Sequence, residues 1–204
     1  MLARWFGGSL AITALLLLSV WFVATLSVPD PGPVTFPGLD GEPRLNQVFH
    51  VLGRNSLVLA LHAFACVAGF IAGSSLPLEA ARRSGRWRWV HDKAGPLAIA
   101  FVIGATAFSL ITQTLVLGQG AASLAAHLDV SPELLLVGLL PHALPELVAL
   151  FLPLAAWMIA SRQRAWHVLL AATVVTVMLA VPLLVASAFV EVFLSPSLLR
   201  SLAG

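Results

Sequence analysis

The chain predicts an all-α polytopic membrane helical bundle of about five transmembrane helices, the fourth of them broken. Composition is the first reason: 59% of the residues are apolar and 10% charged, with a mean hydropathy of +0.97. Soluble domains carry about 25% charged and about 45–50% apolar residues. Clustering is the second reason. The apolar residues gather into five runs, each near the length of about 20 that the hydrocarbon core of a bilayer requires. Charge placement is the third, because basic and acidic connections alternate between the runs as the positive-inside rule expects. A chain of 204 residues then forms a single integral membrane domain over 1–204, with no room for a sizeable soluble unit.

The first span is read over 9–28. Arg4 precedes it, but no small-residue cleavage site follows at the distance a signal peptide needs, so an uncleaved helix is expected. Prolines at 29, 31, 33, 37 and 43, with Asp30, Asp40 and Glu42, then forbid regular helix and predict a loop outside the bilayer. A short interfacial helix is expected over 47–55, where Phe49, Val51 and Leu52 are apolar and His50 and Arg54 polar. The second span covers 56–78. Its Gly69 and Gly73 form a small-xxx-small pair that permits close helix approach.

Arg82, Arg83, Arg86, Arg88 and Lys93 follow, together with Trp87 and Trp89, as in a cytoplasmic loop at headgroup level. The third span, 95–118, is the most polar, and Thr106, Ser109 and Gln113 fall on one helical stripe. Ser131-Pro132-Glu133 reads as a cap, a first-turn proline and an acid at the positive helix end. It opens the fourth run, 134–160. Arg162 and Arg164 mark a short basic turn, the fifth span covers 168–190, and a tail from Glu191 holds Ser195-Pro196. These charges place the N-terminus in the cytoplasm and the C-terminus outside a plasma membrane. A net charge of +2 without a long basic face excludes nucleic acid as a partner. Cys66 is the single cysteine, so no internal disulfide forms.

The fourth run contains Pro141-His142-Ala143-Leu144-Pro145-Glu146. Polar groups at membrane depth are costly unless they meet protein, water or one another. His142 and Glu146 are spaced i, i+4, which places both on one helical face. A break at 140–141, with a new helix starting near His142, would bare N–H groups and a positive dipole end inside the membrane. Broken helices of that kind line cavities in transporters. The same residues also read as a structural kink, the two side chains bonding each other and bared carbonyls.

Arg54 and Asn55 are expected at the outer end of the second span and Glu191 at the outer end of the fifth. They read either as an Arg54–Glu191 pair or as solvated interfacial charges. His62 reads as facing His142 or as a packed histidine. The ligand or structural polar site is therefore Pro141, His142, Pro145, Glu146, Glu191, Asn55, Arg54 and His62. Zinc takes three or four protein ligands, and neither HExxH nor GxSxG is present. No catalytic residue, metal or cofactor is expected.

Three stretches resemble the stage II sporulation protein M family of membrane proteins. The first is His50 to Gly73, HVLGRNSLVLALHAFACVAGFIAG, with Asn55, Phe64, Gly69 and Gly73 in matching places. The second is LLPHALPELVAL, similar to a Pro-His-Gly…Glu signature at Pro141, His142 and Glu146. The third is ASAFVEVFLSP, similar to a closing helix ending in Glu191, Phe193 and Pro196. Order and spacing agree over roughly three quarters of the 204 residues. Ala143 stands where the family usually has Gly, and the loop after the second span is longer, more basic and lacks the family's Asn-Gly.

The resemblance implies a multi-span protein without enzymatic activity, a membrane subunit or scaffold of a multiprotein assembly in cell-envelope remodelling. Its partners would be the lipid bilayer and other membrane or envelope proteins, with a homo-oligomer also open. The rival expectation is a transporter or channel subunit with a polar intramembrane site at the broken fourth helix.

Overall fold

The computed structural model describes residues 1–32, 34–39, 41–82 and 84–203. Pro33, Asp40 and Arg83, assigned from sequence to the outer and basic loops, lie outside the described residues, as does Gly204. The described residues hold helices and connections and no strand. Five helical stretches are long and apolar enough to cross a membrane: Leu2–Leu26, Leu45–Arg82, Gly85–His127, Pro132–Arg162 and Trp166–Leu202. The chain is the all-α membrane bundle that its composition predicts.

Helix α1 is Leu2–Leu26, and α2 is Leu45–Phe70. No separate interfacial helix exists over 47–55, because α2 begins directly after Pro43 and runs through. Its first turn is capped when the Arg44 backbone N–H donates to Oε1 of Gln47 at 2.9 Å. After α2 come a π-helical turn, Ile71–Ser75, and α3, Leu76–Arg82. The basic stretch over 79–93 is thus mostly helix rather than loop. Backbone groups near the bilayer are best satisfied internally, and the chain reverses only around Gly85, whose φ of +63° suits glycine. Helix α4, Gly85–His127, is 43 residues long, about 65 Å at 1.5 Å per residue. That exceeds the hydrocarbon thickness of about 30 Å. Only 11% of its most apolar stretch is buried, so Leu97, Phe101, Phe108 and Ile111 face lipid.

Helix α5, Pro132–Arg162, is continuous through Pro141, Pro145 and Pro153. The expected break at 140–141 is absent, and no helix N-terminus lies at His142. Each proline removes one N–H, but tertiary packing carries most of a helix's stability, and α5 runs on through all three. The true N-terminus is the one marked by Ser131, whose Oγ accepts from the Leu134 N–H at 3.3 Å. Helix α6 is Leu169–Phe189, continuous through Pro182. A second π turn, Val190–Leu194, and α7, Ser195–Leu202, follow, so the tail is helical too.

Both π turns precede a proline, Pro77 and Pro196. A proline cannot donate to the carbonyl four residues earlier, and its ring crowds that carbonyl. The helix widens by one residue instead, with Leu76 N–H bonded to Ile71 O and Ser195 N–H to Val190 O.

Helix α5 is the axis of the bundle. Leu147, Ala149, Leu150, Phe151, Leu152, Leu154, Ala155, Ala156 and Trp157 are all buried, so this segment is covered on every side. Helix α1 packs on it where a Cβ on Gly8 would lie 3.2 Å from Ala155 Cβ. Gly69 and Gly73 do allow close approach, but to aromatic rings: a Cβ on Gly73 would fall 2.2 Å from the Trp166 ring, and one on Gly69 2.6 Å from Trp157 Nε1. At the other end, α7 lies against the start of α5, where Leu199 and Leu202 fill the space beside Gly138. The proline-rich loop closes over α7, since Arg200 donates to the carbonyls of Gly38 and Leu39 at 2.9 and 3.0 Å.

Candidate functional site

The intramembrane polar residues are arranged around α5. Ser9 on α1 donates to Val148 O at 2.6 Å. Cys66 on α2 donates its S–H to Pro153 O at 3.1 Å. His62, also on α2 and fully buried, lies with Nδ1 2.9 Å from Leu150 O. A carbonyl only accepts, so Nδ1 carries the proton. The His62 ring also packs against Phe151, centroid to centroid 5.5 Å. Pro153 leaves the Ala149 carbonyl without its helical donor and crowds the neighbouring turn. The bond from His62 goes to the next carbonyl along, Leu150 O, and not to the one that Pro153 frees.

His142 turns the other way. Its Nδ1 lies 2.7 Å from Ser195 Oγ, and Ser195 Oγ lies 3.2 Å from Val190 O. The single hydroxyl proton goes to the carbonyl, so His142 Nδ1–H donates to Ser195. This relay joins α5 to the widened turn ahead of α7. Phe36 of the proline-rich loop sits over the His142 ring at 6.2 Å between centroids.

Glu146 is one turn further along α5 and does not bond to His142. Four residues advance a helix by about 6 Å and rotate it by about 40°, enough to point the two side chains at different neighbours. Glu146 instead lines a cavity of about 300 Å³ between α2, α4 and α5, with Arg54, Asn55, Thr112 and Gln113. Oε2 of Glu146 and Nδ2 of Asn55 are buried without a hydrogen-bond partner among the described residues. Gln113 Nε2 donates to Ser109 Oγ at 3.0 Å, so part of the expected polar stripe of the third span is real.

The eight residues singled out in the sequence therefore divide. Glu146, Asn55 and Arg54 meet at one cavity, and Glu191 lies close enough to influence Glu146 electrostatically. His142 and His62 serve separate contacts and do not face each other. Pro141 and Pro145 sit inside a continuous helix. Asn55 and Glu191 are buried rather than at the outer ends of their spans, because α2 begins ten residues before Asn55 and the last helix continues past Glu191. Arg54 and Glu191 form no ion pair among the described residues. No three His, Cys, Asp or Glu side chains among them gather as a metal site.

Sequence reasoning missed Ser9, Cys66 and Ser195 as partners, and Thr112 and Gln113 as cavity residues. Small hydroxyls and thiols in apolar runs carry no signal without knowing which helix they face. Ser195-Pro196 did carry one, since the proline forces the widened turn that presents Ser195 to His142.

The family model for Stage II sporulation protein M matches residues 89–196, just over half of the 204 residues. The LLPHALPELVAL and ASAFVEVFLSP stretches fall within the match, and the His50–Gly73 stretch lies before it. No curated protein and no solved structure matches the chain.

Proposed function

The chain belongs to the stage II sporulation protein M family, and from that premise we propose that it is a structural membrane subunit of a multiprotein assembly in the cell envelope, without an enzymatic step of its own. The observation that carries this reading is the use made of the intramembrane polar groups. Ser9, His62 and Cys66 tie α1 and α2 to carbonyls of α5, and His142 ties α5 to the last helix. Such bonds fix helices in one arrangement, as a rigid scaffold requires, instead of lining a path across the bundle. The transport reading leaned on a break in the fourth helix, and α5 is continuous.

The basic end of the bundle, with Arg82, Arg86, Arg88 and Lys93, would face the cytoplasm. The proline-rich loop and α7 would face outward from the plasma membrane. Trp87 and Trp89 are exposed beside those cations, suited to headgroups.

The test is affinity purification from gently solubilised native membranes, with mass spectrometry of the eluate. A second polypeptide in fixed ratio is expected. Wild-type protein eluting alone, with substrate flux in liposomes containing only this chain, would replace the subunit reading with transport.

A further inference from the structure

We propose that the cavity between α2, α4 and α5 binds a zwitterion bearing a primary amine and a phosphate, presented as the headgroup of a phosphoethanolamine lipid entering sideways from the bilayer. Lipid recognition at this cavity does not depend on the assembly role. Two buried groups set the chemistry of the cavity. Asn55 is 5% exposed, and its Nδ2 lacks a hydrogen-bond partner among the described residues. Oε2 of Glu146 is likewise buried and unpartnered there. One is a donor and the other an acceptor, and both line the same space of about 300 Å³. That volume is at the lower end for small-ligand pockets. Asn55 lies beside the Glu146 carboxylate and Arg54 acts on it from further off, yet Oε2 stays unpaired among the described residues. A carboxylate in an apolar bundle that is only partly compensated is costly, so the site is suited to a cation.

The second charge is on the rim. Arg54 lines the same cavity and is exposed, and no ion pair joins it to Glu146 or Glu191 among the described residues. A cation and an anion held apart across a gap match a ligand that carries both charges in the opposite order. An ammonium group offers three N–H donors, enough for the Glu146 carboxylate and further acceptors such as the side-chain oxygens of Gln113 and Thr112. A phosphate at the mouth would take Arg54 and the Asn55 amide. A quaternary ammonium has no N–H to give and is recognised by aromatic faces, and no aromatic residue lines this cavity. An anionic headgroup without an amine would meet Glu146, with Glu191 nearby, as repulsion.

The entrance points to the bilayer as the source. Val116 and Leu117 of α4 line the cavity and are exposed at 62% and 44%. Leu57, close to Arg54 on α2, is 74% exposed. The lip is therefore apolar and faces acyl chains, so a headgroup can enter while its chains lie along α4.

The experiment is native mass spectrometry of the full chain released from nanodiscs of phosphatidylethanolamine, phosphatidylcholine or phosphatidylglycerol, with titration to obtain apparent affinities. Phosphatidylethanolamine should bind about tenfold tighter than the other two, the equivalent of one charge-assisted hydrogen bond. Glu146→Gln should remove that preference, and Arg54→Gln should weaken phosphatidylethanolamine by a similar factor. The exposed Arg54 keeps the test decisive should Glu146→Gln fail to fold. Displacement of the lipid by soluble O-phosphoethanolamine at equal affinity would support the same chemistry from an aqueous source. Displacement by lipid alone would support the bilayer. Equal binding of phosphatidylethanolamine and phosphatidylcholine, or a preference unchanged in the folded Glu146→Gln and Arg54→Gln proteins, would overturn the proposal.

Discussion

His142 on α5 and Ser195 at the start of α7 are joined by a buried hydrogen bond of 2.7 Å between Nδ1 and Oγ. Ser195 is in turn 3.2 Å from the Val190 carbonyl, a group that the widened turn before Pro196 presents. Residues 53 positions apart are thus coupled through a proline-induced distortion.

That coupling is measurable. Hydrogen bonds between membrane helices are worth about 0.6 kcal/mol on average and up to about 1.7. Leaving a buried partner unsatisfied adds about 1–3 kcal/mol. His142→Leu and Ser195→Ala should each destabilise the bundle by about 1–2 kcal/mol, and the double variant by clearly less than their sum. SDS-driven unfolding in bicelles reads the cycle, and strict additivity would mean the bond contributes nothing.

Two glycines separate packing from propensity. A Cβ on Gly73 would collide with the Trp166 ring, so Gly73→Ala should cost about 1–3 kcal/mol through overpacking. Gly104 of α4 has nothing within 4 Å of its Cβ position, so Gly104→Ala should be neutral or stabilising by up to about 1 kcal/mol. The same unfolding assay compares them, and equal effects would argue against the Trp166 contact.

Cys66 should resist maleimide in the folded protein, because the side chain is fully buried and its S–H is bonded to Pro153 O. Labelling should rise with the unfolded fraction across an SDS titration. Prompt labelling in native membranes would place the thiol elsewhere.

How much of this was legible in the sequence depends on the residue. The spanning helices followed from apolar runs, and Ser131-Pro132-Glu133 gave the start of α5 correctly. The break expected at Pro141 is absent because a proline removes only one donor locally, while tertiary packing, which a one-dimensional pattern does not reveal, carries the helix through. The interfacial helix and the basic loop were misread for a related reason. Polar residues such as Arg54 and Arg86 end an apolar run without ending a helix. Glu146, Arg54 and Asn55 stood out as costly polar groups, yet their convergence on one cavity required knowing that α2 and α5 are neighbours. The pairing of His142 with Glu146, inferred from i, i+4 spacing, gave way to Ser195 because tertiary contact supplied a nearer partner.

The orientation proposed from charge is tested in the Cys66→Ala background. Gly41→Cys should react with an impermeant thiol reagent added to intact cells, and Arg86→Cys should react only after permeabilisation. The opposite pattern would invert the topology.

The most direct test of the subunit role is the size of the native species. The 21.5 kDa chain, extracted from its own membranes, is compared on native gels with the pure chain in the same detergent. The account predicts a larger native complex containing at least one other polypeptide in fixed ratio. A native species that migrates with the pure protein and contains this chain alone would contradict it.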